Sequence, residues 1–139
     1  MIKIDGSYGE GGGQIIRTSL ALSLVTGKPF SISNVRSGRR KPGLMRQHVT
    51  AAAAAAEIGG AKMHGADIGS GTLFFEPGEI KAGRFRYDIG SAGSCTLVFQ
   101  TLAPALIFAK APFFRPTSAA STYKLQSFSR PCSSCSLTN

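Results

Sequence analysis

Cationic side chains are concentrated in one short segment of this chain. Five of them fall within eleven residues, with no acidic residue among them: Arg36, Arg39, Arg40, Lys41 and Arg46. The forked guanidinium group matches the geometry of phosphate oxygens, and Pro42-Gly43 predicts a helix start, whose amino terminus also attracts anions. The segment therefore favours phosphate binding, with a solvated charged surface as the alternative. His48, on the same predicted helix, is a candidate phosphate contact or else a core or surface residue.

Two glycine-rich turns also precede predicted helices. The first, Glu10-Gly11-Gly12-Gly13-Gln14, joins a strand to a helix, where glycine lets backbone N–H groups approach an anion. It lacks the Gly-Lys-Ser/Thr of a Walker loop and the surroundings of a dinucleotide fingerprint, so a tight turn remains the alternative. Glu10 beside a phosphate site could hold Mg²⁺, which is commonly bound by one or two carboxylates plus nucleotide phosphates.

The second turn, Gly90-Ser91-Ala92-Gly93-Ser94, leads into a helix that carries Gln100. A buried Gln amide needs a hydrogen-bond partner, which a nucleobase, a ribose or a backbone group could supply. Cys95 has no accompanying His–Asp pair, which favours packing over nucleophilic catalysis. The Cys132–Cys135 pair lacks the second pair of ligands that a zinc site requires.

Hydrophobic periodicity predicts an α/β fold (α+β, two-layer) in which helices pack on one face of a sheet. The run of six alanines, Ala51 to Ala56, predicts close helix packing. The strands are expected at about 2–5, 30–35, 61–64, 72–75 and 84–89, and the helices at about 14–26, 44–58 and 95–109.

Composition indicates a globular chain whose positive charge serves either a polyanionic partner or general solubility. Sixteen basic residues against seven acidic ones give a net charge of +9, which favours nucleic acid or nucleotide phosphates. The amino terminus is too polar for a signal peptide, and no apolar stretch could span a bilayer. We therefore expect a cytoplasmic protein with no membrane partner, in which three cysteines form no disulfide framework.

The last part of the chain has a different composition. Asp88 is the last acidic residue, and residues 111–139 contain seven serines and no sustained helical or strand period. We expect a tail outside the fold, either disordered or translated from another reading frame.

Three segments together resemble RNA 3'-terminal phosphate cyclases, over about residues 1–110: 5–17, 36–48 and 89–100. The resemblance implies a βαβαββ repeat, also found in enolpyruvyl transferases. Residues 1–89 would form the first repeat, 90–110 a helix that opens a second, incomplete repeat, and 111–139 the atypical Ser-rich tail.

The resemblance also implies an activity. Such enzymes use ATP and Mg²⁺ or Mn²⁺ to adenylate a histidine, pass AMP to an RNA 3'-phosphate, and release AMP when the 2'-hydroxyl closes a 2',3'-cyclic phosphate. Gln100 and Arg17 would contact ATP, and Glu10 would hold the metal. The predicted contacts to RNA or nucleotide phosphates are Arg36, Arg39, Arg40, Arg46 and His48.

The family's adenylated histidine lies in a carboxy-terminal region, and neither His48 nor His64 matches its motif. We therefore expect a truncated cyclase that cannot form enzyme–AMP alone. The alternatives are a non-catalytic cyclase-like RNA-binding factor in ribosome assembly and an inactive gene remnant. The sequence predicts no oligomeric state.

Overall fold

The computed structural model describes residues 1–9, 11–80, 84–88, 95–108, 114–119 and 122–127. In chain order the elements are β1 (Ile2–Asp5), α1 (Gly13–Thr26), β2 (Phe30–Ser33), α2 (Arg46–Ile58), β3 (Lys62–His64), β4 (Leu73–Glu76), β5 (Arg84–Asp88), α3 (Cys95–Phe108), β6 (Phe114–Ala119) and β7 (Thr122–Ser127). The first six elements have the predicted βαβαββ order. None of the helices within the described ranges is long and apolar enough to cross a membrane.

The first sheet has the strand order β1-β2-β4-β3. β1 and β2 are parallel, with Ile2 opposite Phe30, and α1 makes the crossover that parallel neighbours require. β4 runs antiparallel to both β2 and β3. The sheet is therefore mixed, and the carboxyl ends of β1 and β2 meet at one edge.

The core lies between this sheet and the three helices. β2 and β4 alternate, so that Phe30, Ile32, Leu73 and Phe75 are buried while Ser33 and Glu76 are exposed. α1 contributes three large side chains to the same core: Ile16, Leu20 and Leu24. This arrangement confirms the predicted α+β fold with helices on one sheet face.

The alanine run packs as predicted. Ala51, Ala52, Ala54 and Ala55 are at most 1% exposed, whereas Ala53 points to solvent. Small side chains let α2 approach its neighbours closely, and α2 contacts both α1 and α3. The run is therefore a packing surface rather than a low-complexity segment.

A second, antiparallel sheet has the order β5-β7-β6. Its strands β6 and β7 lie in the segment for which composition predicted no regular structure. β6 and β7 pair with each other, and β7 also pairs with β5, a strand distant in sequence whose pairing a local pattern cannot reveal. Whether this segment comes from another reading frame stays a prediction.

Candidate functional site

Asp5 joins the two loops that leave the parallel strands. Its Oδ1 accepts hydrogen bonds from the Ser7 backbone N–H at 3.0 Å, the Ser7 hydroxyl at 2.7 Å and the Asn34 amide at 3.3 Å. Chiefly the Ser7 backbone N–H, and then the two side chains, hold the pKa of Asp5 below its usual value. The carboxylate therefore links the glycine-rich loop between β1 and α1 (residues 6–12) to the arginine-rich loop between β2 and α2 (residues 34–45).

Replacing Asp5 with alanine is expected to lower the thermal midpoint at neutral pH. Because the folded pKa is depressed, the stabilisation is present above the unfolded value of 3.8 and is lost as pH falls through the lower folded value. The wild-type and variant curves of midpoint against pH should therefore converge in acid. Asp67, also exposed, serves as the matched Asp67→Ala control. A gap that persists below the folded pKa would contradict a role for the ionised carboxylate.

The arginine-rich loop is fixed by backbone hydrogen bonds. The N–H of Val35 donates to Gly71 at 3.0 Å and that of Leu44 to Ser70 at 2.9 Å. Gly43 has φ of +80°, and a Cβ there would collide with the Gly69 carbonyl, so glycine is required. Arg36 donates from its guanidinium to the Gly43 carbonyl at 3.1 Å. The loop is therefore a defined scaffold for the cations on it.

The glycine-rich loop, the arginine-rich loop and the first turn of α2 meet at the start of α1. A Cβ on Gly13 would collide with Nε2 of His48 and lie 3.0 Å from Nη1 of Arg17, and one on Gly12 would lie 3.5 Å from Nη2 of Arg39. At Gly13 only glycine allows this approach, whereas a Cβ at Gly12 would make an ordinary van der Waals contact with Arg39. The structure thus brings the first two sequence motifs into contact.

His48 is enclosed at this junction and is only 2% exposed. Its Nδ1 accepts the backbone N–H of Met45 at 3.0 Å, which assigns the ring proton to Nε2. Burial, and then the charges of Arg36 and Arg17, lower the pKa of His48 to about 4. The imidazole is therefore neutral at pH 7. The sequence predicted a direct contact between His48 and phosphate. The structure leaves little of the ring accessible to a ligand, and that contact stays a prediction.

Arg17 carries an unsatisfied donor. Its Nε is buried without a hydrogen-bond partner among the described residues, and its Nη2 makes one long contact of 3.4 Å to the Gln14 side chain. Burial lowers the pKa of Arg17, although a guanidinium remains charged at neutral pH. An unsatisfied buried donor typically costs about 1–3 kcal/mol, so the structure holds Arg17 in this position at a cost to stability.

A groove of about 300 Å³ lies beside Arg17, between α1 and α3. Its lining residues are Gln14, Arg17, Thr18, Ala21, Leu22, Val25, Gln100, Pro104 and Phe108. The size is at the lower end of small-molecule pockets. The two residues predicted to bind ATP, Arg17 and Gln100, therefore share one groove.

Gln100 is exposed within the groove, so its amide is accessible to a ligand. Pro104 lies inside α3 and has no N–H, which deprives the Gln100 carbonyl of its usual helical donor. Sequence reasoning did not single out Gln14, Thr18 or Pro104. The spacing of Gln14, Arg17 and Thr18, three and four residues apart on α1, was the available signal.

The remaining predicted residues differ in their surroundings. Arg39, Arg40 and Arg46 are exposed on or beside the arginine-rich loop, while Arg36 is half-buried. Glu10, the predicted metal ligand, and residues 90–94 of the second glycine-rich turn lie outside the described residues, as does the Cys132–Cys135 pair. Within the described part, no group of three or more His, Cys, Asp or Glu side chains could hold a metal ion.

Comparison with known proteins gives the same family as the motifs. A family model described as RNA 3'-terminal phosphate cyclase matches residues 8–115. An RNA 3'-terminal phosphate cyclase of Ralstonia nicotianae is 61% identical over 111 residues, which are 80% of this chain and 32% of that protein. The chain thus spans about a third of that relative's length, and the family match ends close to the change in composition after Lys110. The chain belongs to the RNA 3'-terminal phosphate cyclase family.

Proposed function

We propose that this chain provides the ATP-binding and RNA-phosphate-binding part of an RNA 3'-terminal phosphate cyclase. The reaction proposed is the AMP-forming, ATP-dependent conversion of an RNA 3'-phosphate to a 2',3'-cyclic phosphate. The Ralstonia nicotianae relative is named an RNA 3'-terminal phosphate cyclase.

The observation that carries the proposal is the convergence of two helix starts and their cations. Gly12 and Gly13 open α1 against Arg39, Arg17 and His48, next to the groove that holds Gln100. Backbone N–H groups at a helix start and guanidinium groups both favour polyphosphate. Because Arg17 belongs both to these contacts and to the groove lining, the arrangement supports one nucleotide site rather than scattered surface charge.

The roles follow from position. Arg17 and the glycine turn would bind ATP phosphates, and Gln14 and Gln100 would hydrogen-bond the base or ribose in the groove. Arg39, Arg40 and Arg46 would face the RNA phosphates, while Arg36 supports the loop through Gly43. Mg²⁺ or Mn²⁺, which would offset phosphate charge, is assigned to Glu10 from the family resemblance.

We further propose that neither histidine of the described residues becomes adenylated. His48 has its Nδ1 occupied by Met45 and its Nε2 edge against Gly13, so neither nitrogen can reach a phosphorus atom. His64 stacks on Phe74 at 5.8 Å on β3, the far edge of the sheet from β1. The chain would therefore bind ATP without forming a covalent adenylate.

This proposal predicts two results with radiolabelled ATP and Mg²⁺. Equilibrium dialysis should detect ATP bound to the 139-residue chain, and the protein band on a denaturing gel should carry no label. The affinity for ATP should exceed that for adenosine, because most contacts are to phosphate. Absence of ATP binding would contradict the proposed site, and a stable label would contradict the assignment of both histidines.

A second experiment measures the affinity of the chain for one RNA oligonucleotide that ends in either a 3'-phosphate or a 3'-hydroxyl. Tighter binding of the 3'-phosphate form supports an end-recognition site at the arginine-rich loop. Equal binding of both forms, without ATP binding, would instead favour the non-catalytic RNA-binding alternative.

A further inference from the structure

We propose that His48 is a positioning residue, a neutral imidazole wedged between the starts of α1 and α2 that aligns their anion-binding groups. The proposal rests on the proposed function, because the aligned groups are those assigned there to ATP phosphates and to RNA phosphates. It differs from direct phosphate contact in that the ring never touches the ligand.

The first contact that positions the imidazole ring is with the start of α2. Met45 precedes the helix, and its backbone N–H donates to Nδ1 of His48, the third residue of α2. A side chain at this position that reaches back to the residue before the helix satisfies an otherwise unpaired donor. This hydrogen bond fixes the ring relative to the start of α2.

The second contact that positions the imidazole ring is with the start of α1. The Nε2 edge of the ring lies against Gly13, the first residue of α1, where no Cβ could fit. The width of the imidazole therefore sets how closely the two helix starts approach. Since Gly12 faces Arg39 and Gly13 faces Arg17, that spacing also sets the distance between the two guanidinium groups.

The chemistry of the ring suits this role. Arg17 on α1 and Arg36 on the arginine-rich loop both lie close enough to disfavour a charged imidazole, and the ring is buried. A neutral side chain fills the junction without adding a third positive charge that would push the arginines apart. A planar ring is also stiffer than a lysine or glutamine side chain, which suits a spacer.

The test separates the attachment to α2 from the spacing. His48→Gln keeps an acceptor that can reach the Met45 N–H, as Gln does in a capping box, but removes the ring from Gly13. We expect its thermal midpoint to stay near that of the wild type, while the affinity for ATP and for inorganic tripolyphosphate falls by about tenfold, equivalent to one charge-assisted hydrogen bond. His64→Gln, which changes the other histidine, should alter neither quantity.

A second pair of variants tests the steric fit. Gly13→Ala places a methyl group against the ring and should weaken tripolyphosphate binding, and adding His48→Ala should recover part of that loss by opening space. Such coupling between the two sites is expected only if the residues touch. His48→Gln binding as tightly as the wild type, or a double variant no better than Gly13→Ala, would overturn the proposal while the ATP site stands. A wild-type chain that binds neither probe would contradict the proposed function itself, and the positioning role with it.

Discussion

Replacing Arg17 with methionine is expected to weaken ATP binding by about tenfold to a hundredfold, the equivalent of one or two charge-assisted hydrogen bonds. Arg17 lines the groove with Gln100 and approaches the glycine turn, so it can reach both the base-binding and the phosphate-binding parts of the proposed site. Methionine preserves much of the side-chain length and removes the charge. Isothermal titration calorimetry with ATP measures the change.

The same variant should be at least as stable as the wild type. Nε of Arg17 is buried without a partner among the described residues, and burying such a donor costs about 1–3 kcal/mol. Its removal relieves that cost, while methionine retains the apolar part of the side chain. A loss of ligand affinity without a loss of stability is typical of a side chain retained for binding.

Lys62→Met provides the matched control for Arg17→Met. Lys62 is exposed on β3, so its replacement removes one positive charge at a distance from the glycine turn. If this control weakened ATP binding as much as Arg17→Met, net charge rather than local geometry would govern affinity. If Arg17→Met bound ATP as the wild type does, Arg17 would not belong to the site.

The second large effect is expected at Phe75. Replacing it with alanine should reduce the free energy of unfolding by about 3–5 kcal/mol, as for other buried Phe to Ala changes. Phe75 is 0% exposed and stacks on Phe30 with ring centroids 5.9 Å apart, at the centre of the core. Domains are stable by only about 5–15 kcal/mol, so this loss would leave a substantial unfolded fraction. Denaturation in urea measures it.

Phe74→Ala is the control on the same strand. Phe74 is only half-buried, faces the opposite side of the sheet and stacks on His64. Its loss should cost about 1 kcal/mol, the centre of the range for point substitutions. Equal effects at Phe74 and Phe75 would mean that β4 does not present one face to the helices.

Element order and type were predictable because each depends on local periodicity. Ile16, Leu20 and Leu24 follow the helical spacing, and the alternation in β4 follows the strand spacing. Helix α2 was predicted from Leu44 but begins at Arg46. The backbone of Leu44 exchanges hydrogen bonds with Ser70 and Gly69 instead of joining the helix.

The end of β2 differs for a similar reason. The strand was predicted to reach Val35 but ends at Ser33. Asn34 adopts φ of +54°, and the N–H of Val35 turns to Gly71. In both cases a loop distant in sequence supplies the hydrogen bond that decides the boundary.

The site was predictable in its composition and not in its arrangement. Arg17, Gln100 and the arginines were named from motifs that resemble one family, and the family match confirms that resemblance over residues 8–115. The groove depends on how α1 packs against α3, and the lack of a partner for the Arg17 Nε within the described part of the chain depends on what surrounds it. Neither property is encoded in a local spacing.

The sequence by itself determined the family, the βαβαββ order and the chemical types available for phosphate binding, because motifs and periodicities are local. Only the tertiary structure placed the neutral ring of His48 against Gly13, directed Arg36 to a backbone carbonyl and brought Arg17 and Gln100 to one groove. These features arise from contacts between segments far apart in the chain, and such contacts form only when the helices pack on the sheet.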